Sequence, residues 1–197
     1  MSIIYPSTPA FMAINFKLDD PTTSFRSQNM KRIARKASGQ MWSFTIAYPP
    51  ISSDNIRNIL GAIAKARGSY QTFTVTPPNL STPRGTQTSN TTVATTTAVG
   101  ATSVPITGAS TNTFKAGDIL KFSNHTKVYT ITDDTTAVAG AATLSISPPL
   151  IVQVTGSSTT VQHSNVSFTV SLASDLQEIK TDVFNLSSYQ LDVEEVF

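Results

Sequence analysis

Apolar and polar residues alternate with a period of two over Met41–Tyr48, where Trp42, Phe44, Ile46 and Tyr48 are separated by small or polar side chains. That spacing predicts a half-buried strand, ended by Pro49-Pro50. Over residues 52–67 the period lengthens to that of a helix. Ile56, Ile59, Leu60 and Ile63 fall on one face and Arg57, Asn58 and Lys65 on the other, so this helix should lie flat on a sheet. Ser52 is placed to cap it, Ile51 and Ile56 to staple it, Asp54 to occupy its positive first turn, and Gly68 to stop it after Lys65 and Arg67. A second strand is predicted over Tyr70–Thr76, where Phe73 and Val75 sit between threonines before Pro77-Pro78. Further strands are predicted over Phe114–Phe122, Lys127–Thr132, Ala142–Ser147, Phe168–Leu172 and Tyr189–Val196. In the last of these Tyr189, Leu191 and Val193 face one way and Gln190, Asp192 and Glu194 the other. Pro6, Pro9 and Pro21 break the first 25 residues into short pieces.

Composition divides this series in two. Residues 86–113 contain eleven threonines, no charged residue and no aromatic one. Thr favours strands, and Val93, Val99, Val104 and Ile106 punctuate the stretch, so short β-elements with loops are expected there. The expected fold is mainly β. Residues 1–84 and 164–197 form a β-sandwich or split barrel with the packed helix 52–67, interrupted by an inserted β-barrel-like domain at 85–163 whose sheet contains three antiparallel strands.

Charge and composition narrow the function classes. The chain has no cysteine, which excludes disulfides and thiolate zinc sites, and its ten Phe, five Tyr and one Trp with 13% charged residues describe a folding chain. No run of eighteen apolar residues is present, and Met1-Ser-Ile-Ile-Tyr-Pro lacks the pattern of a signal peptide, so a soluble protein made in the cytoplasm, with no membrane partner, is expected. Residues 1–84 carry ten Lys/Arg and three acids, a net +7; residues 85–197 carry four Lys and nine acids, a net −5. Opposite signs in the two parts suit head-to-tail association of copies.

Catalytic chemistry finds little support. His125 and His163 have no second ligand at metal spacing, and His125 reads as a solvated turn residue. Asp118 and Asp133-Asp134 lack the pattern of a catalytic family, and neither a Gly-x-Ser-x-Gly elbow nor a phosphate-binding glycine loop is present. The expectation is a non-enzyme with no catalytic, cofactor or metal site. The concentrated feature is Arg26–Lys36, in which Arg26, Lys31, Arg32, Arg35 and Lys36 carry five positive charges and no acid intervenes. Its leading reading is a contact between subunits, with Asp192, Glu194 and Glu195 as the acidic counterpart; a solvated loop and a nucleic-acid contact are the alternatives. Trp42 reads as core.

Gly39-Gln-Met-Trp-Ser-Phe-Thr-Ile-Ala-Tyr-Pro-Pro, the following helix, and Arg67-Gly-Ser-Tyr-Gln-Thr-Phe-Thr-Val-Thr-Pro-Pro78 together resemble tail-tip proteins of tailed bacteriophages, in the distal tail protein and small minor tail protein group. The segment Phe114-Lys-Ala-Gly-Asp-Ile-Leu-Lys-Phe through Ser-Pro-Pro-Leu150 is similar to the inserted β-domain of such proteins, and Leu191-Asp-Val-Glu-Glu to their closing strand. The resemblance covers about half the chain and implies a structural protein of the virion tail, made in the host cytoplasm. It implies a homo-oligomeric ring, hexameric, that joins the tail tube to the tip or baseplate. Other tail proteins (tube, hub and tip) would be its partners, and DNA would enter only as cargo passing through the lumen. A tail-tube or tube-initiator protein is the alternative of the same class. A carbohydrate-binding module, with Tyr70 or Tyr129 as its platform, comes from another, and a cell-envelope hydrolase is the weakest.

Overall fold

The computed structural model describes residues 3–4, 10–36, 39–182 and 184–197. The fold is mainly β with one α-helix among the described residues, in keeping with the alternation of the sequence, and the chain divides into two compact units. One unit is built from 72–170 with short pieces of both chain ends; the other from the segment up to Gln71 and from Ser171–Glu195. Pro6 and Pro9 lie outside the described residues, whereas Pro21 separates the strands Ala13–Asp19 and Thr22–Arg26. Among the described residues no helix is long and apolar enough to cross a membrane.

In the second unit, the strand Met41–Ala47 pairs antiparallel with Ala13–Asp19 on one side and with Leu186–Glu195 on the other. Ile179–Thr181 and Ile51–Ser52 also pair with Leu186–Glu195. The long strand alternates strictly, with Tyr189, Leu191 and Val193 buried and Gln190, Asp192 and Glu194 exposed, as its sequence predicts. Phe44, Ile46, Ile51, Ile56 and Ile59 are also buried, each contributing roughly 1.5–3 kcal/mol of apolar transfer. Trp42 is only half-buried and stands edge-on to Phe16 at 6.4 Å.

The helix runs Ser53–Ala66 and carries its acid, Asp54, in the first turn. Ser52 is extended at the N-cap position, but its side chain makes no capping bond. Leu60, expected on the packed face, is 43% exposed. It lies one residue, about 100°, past the fully buried Ile59 and so on the rim of an arc centred between Ile56 and Ala66. The stop comes one residue earlier than glycine alone would place it. Arg67 is left-handed (φ 52°, ψ 53°), Gly68 follows at φ 67°, and Gln71 N–H closes on Ala66 C=O at 3.0 Å. This redirection places Tyr70 in the 3-10 turn Gly68–Tyr70, where it is exposed, and the strand predicted from Tyr70 shortens to Phe73–Val75.

The first unit contains a closed barrel of six antiparallel strands in the order Ile119–Phe122, Val128–Ile131, Ala141–Ser147, Ser103–Thr107, Thr91–Val93, Thr160–Gln162. Lys121↔Gln162 and Phe122↔Val161 close the circle. Three of these strands are those expected. Two more come from the Thr-rich stretch, whose Val93, Val104 and Ile106 are fully buried. Leu120, Tyr129, Leu144 and Val161 complete the filling, as a barrel this small requires side chains rather than a channel at its centre. In the same unit, Phe73–Val75 pairs parallel with Ile3–Ile4 and antiparallel with Phe168–Leu172, through Phe168↔Val75 and Val170↔Phe73.

Candidate functional site

The basic segment is a β-hairpin arm. Thr22–Arg26 pairs with Arg32–Lys36 in the register Thr22↔Lys36, Phe25↔Ile33, Arg26↔Arg32, and all ten residues are exposed. Ser27 N–H donates to Lys31 C=O and Met30 N–H to Ser27 C=O, and Met30 takes a left-handed φ of 60° to close the loop. Alternation divides the arm into two faces. One carries Arg26, Arg32 and Lys36; the other carries Arg35 with the cross-strand pair Phe25 and Ile33, 60% and 43% exposed. Lys36 reaches Asp20 at 3.1 Å at the base of the arm. Sequence reading singled out the charges and missed the hairpin, although Ile14, Phe16 and Leu18 alternate before it and Phe25 and Ile33 flank the turn.

The acidic residues are placed unequally. Asp192 and Glu194 project from the exposed side of Leu186–Glu195, where Thr45 Oγ1 donates to Asp192 Oδ1. Glu195 is buried, and its carboxylate accepts from Trp42 N–H at 3.2 Å, so it serves its own protomer. Beside Asp192 a groove of about 580 Å³ opens between Met12, Tyr48, Leu176, Glu178 and Tyr189. The Tyr48 and Tyr189 rings stack at 6.2 Å in its wall, and Tyr189 O–H donates to Gln177 at 2.7 Å. Leu176 is 84% exposed on its rim.

In the barrel unit, the acids and histidines build structure. The buried Asp118 carboxylate accepts from Arg84 N–H at 3.0 Å, from Gly85 N–H at 3.1 Å and from Arg84 Nε at 3.4 Å. It thereby ties down the chain where it leads into the barrel, and Arg84 Nη2 adds a bond to Ala116 C=O. Gly85 is required there, because a Cβ would run into the Thr113 carbonyl. Asp134 receives Lys115 Nζ at 2.7 Å and Ala116 N–H at 2.8 Å, which hold its carboxyl below the usual carboxylate range.

His125 is not the solvated turn residue the sequence suggests. Its Nδ1 faces Asn124 Oδ1 at 2.7 Å and its Nε2 faces the hydroxyl of the buried Tyr129 at 2.8 Å, while its ring stacks on Phe122. Asn124 Nδ2 donates to Gln153 C=O and Ile151 N–H to the Tyr129 oxygen, so the network assigns a neutral imidazole protonated at Nδ1. Burial, then the charge of Lys121, lowers its pKa to about 4. His163 is buried, with Nε2 2.8 Å from Thr91 Oγ1 and Nδ1 without a partner. Burial lowers its pKa to about 4 as well, against the opposing pull of Asp118. Tyr129 is fully buried, so it offers no platform to a sugar.

Comparison with known families places this barrel. Residues 81–165 match the family model described as distal tail protein pb9, B domain. The match bears out the resemblance to phage distal tail proteins and supports a structural role in a virion tail, alongside other tail proteins. No curated protein matches the sequence.

Proposed function

We propose that the chain is a tail-ring subunit, assembling as a hexameric homo-oligomer that joins the tail tube to the tip or baseplate and acts mechanically, without catalysis. The observation that carries this reading is the match of residues 81–165 to a distal tail protein domain. The fully exposed arm, with Arg26, Lys31, Arg32 and Arg35 facing solvent, supports it. A two-stranded hairpin is marginal in water and gains from a partner surface. Asp192 and Glu194 are the exposed acids available to a neighbouring copy. Lys36 and Glu195 already have partners in their own protomer and contribute less.

The test is the solution mass by light scattering, followed by negative-stain imaging. Closed rings are expected, and tubes of indefinite length would favour the tube-protein alternative. A chain that stays monomeric both alone and with tail-tube tips would overturn the ring. Arg32→Glu with Arg35→Glu should weaken assembly at moderate salt while leaving the melting temperature unchanged, because both side chains lie outside the core.

A further inference from the structure

We propose that the arm of one copy seats its Phe25–Ile33 face in the groove formed by Met12, Tyr48, Leu176, Glu178, Tyr189 and Asp192 of the next copy. The inference rests on the ring reading and specifies its contact. Arm and groove share one two-stranded ladder. Ala13↔Ala47 stands at one end, and Met12 N–H donates to Ala47 C=O at the mouth of the groove. Asp19↔Met41 stands at the other, and the arm continues from there.

The two ends are six strand steps apart, roughly 20 Å. A paired ribbon of that length keeps the arm off its own groove. The surface that complements the arm therefore lies on another copy, and the contact is head-to-tail, the arrangement that generates rings when the rotation closes.

The chemistry matches on both counts. The arm offers an exposed Phe and Ile side by side, with Arg35 on the same face. The groove offers Met12 and Leu176, 65% and 84% exposed. Glu178 in its lining lies 3.7 Å from Lys180, which lines it too, so Asp192 is the carboxylate left to meet Arg35. A groove of about 580 Å³ has room for an aromatic and an aliphatic side chain together. Phe25 and Ile33 supply the buried anchor of the contact and the charges set its register.

The chain has no cysteine, so introduced thiols report unambiguously. Phe25→Cys and Leu176→Cys are made singly and together in the full chain, and both positions are exposed enough to leave folding intact. Under mild oxidation the double variant should give a ladder of multimers on a non-reducing gel, and a mixture of the two single variants a dimer containing one of each. Oligomers without a ladder would overturn the arm-in-groove contact while leaving the ring reading standing. Monomers without a ladder, both alone at millimolar concentration and with tail-tube tips, would overturn both. Dimers from Phe25→Cys alone, with none in the mixture, would mean that arms pair with arms and would also overturn it. As an independent readout, Phe25→Ser with Ile33→Ser should abolish assembly and leave the melting temperature unchanged; unchanged assembly in that variant would refute the anchor.

Discussion

The hydrogen bonds on Asp118 are made where the chain leads into the barrel, and replacing the carboxylate leaves the Arg84 and Gly85 amides without their acceptor. Bonds to a charged acceptor contribute about 1.5–3 kcal/mol each, and their losses overlap at one site. Asp118→Ala should therefore cost about 3 kcal/mol in urea denaturation and Asp118→Asn less; equal stability of all three proteins would refute the clamp. His163 makes a second prediction at this scale. Its folded pKa of about 4 lies below the ordinary 6.5, so between those values the unfolded chain binds the extra proton. Stability is full above pH 6.5, falls as pH drops to 4, and levels off below. The integrated loss is about 3 kcal/mol, with His125 acting in the same direction. His163→Phe should flatten much of this dependence in thermal melts between pH 7 and 4. Neither role was visible in the sequence, because burial of an Asp or His is decided by residues tens of positions away, here Arg84 and Thr91.

At the scale of elements, the helix and the closing strand were legible because their periodicity coincides with their burial. Ile56 and Ile59 pack, and Tyr189, Leu191 and Val193 face inward as the alternation requires. The helix end was less legible. Arg67 spends a left-handed conformation that costs a non-glycine residue about 1 kcal/mol, and Gly68 then brings the chain against Asp175, which accepts from Ser69 N–H and Oγ at 2.8 Å each. An added methyl at Gly68 would stand 2.5 Å from Asp175 Oδ1 at a positive φ. Gly68→Ala should cost about 1–2 kcal/mol of stability, through backbone strain and displaced contacts, and so lower the melting temperature, whereas Arg67→Gly should raise it. Melting curves of the two variants check the pair. The arm is the opposite case: its residues alternate, yet none is buried in the protomer, so periodicity alone carried no sign of which partner the Phe25–Ile33 face would meet.

For the whole molecule, the barrel is the part expected to stand alone. Its six strands close on themselves, so no edge is left to aggregate, and its two ends are joined by Asn165 N–H donating to Ser81 C=O at 2.8 Å. Residues 81–165 expressed alone should fold cooperatively, with dispersed amide resonances and a single melting transition. A molten or aggregating fragment would show that the barrel depends on the rest of the chain. The charge asymmetry belongs to this scale too: with +7 in residues 1–84 and −5 in 85–197, the head-to-tail assembly proposed above should weaken steadily as salt is raised, read as a fall in solution mass by light scattering.

Local pattern was enough to establish the mainly β class, the one helix, the composition break near residue 85 and the absence of a familiar catalytic motif. These depend on periods of 2 and 3.6 residues and on residue types, all contained within short windows of chain. Closure of the barrel, the inward turn of Glu195, the partial burial of His125 and full burial of His163, and the placing of arm and groove at opposite ends of one ladder came only with the tertiary structure. Each joins residues far apart in the chain, as Trp42 joins Glu195 and Phe122 joins Val161, and pairings at such separations leave no periodic trace in the sequence of either partner.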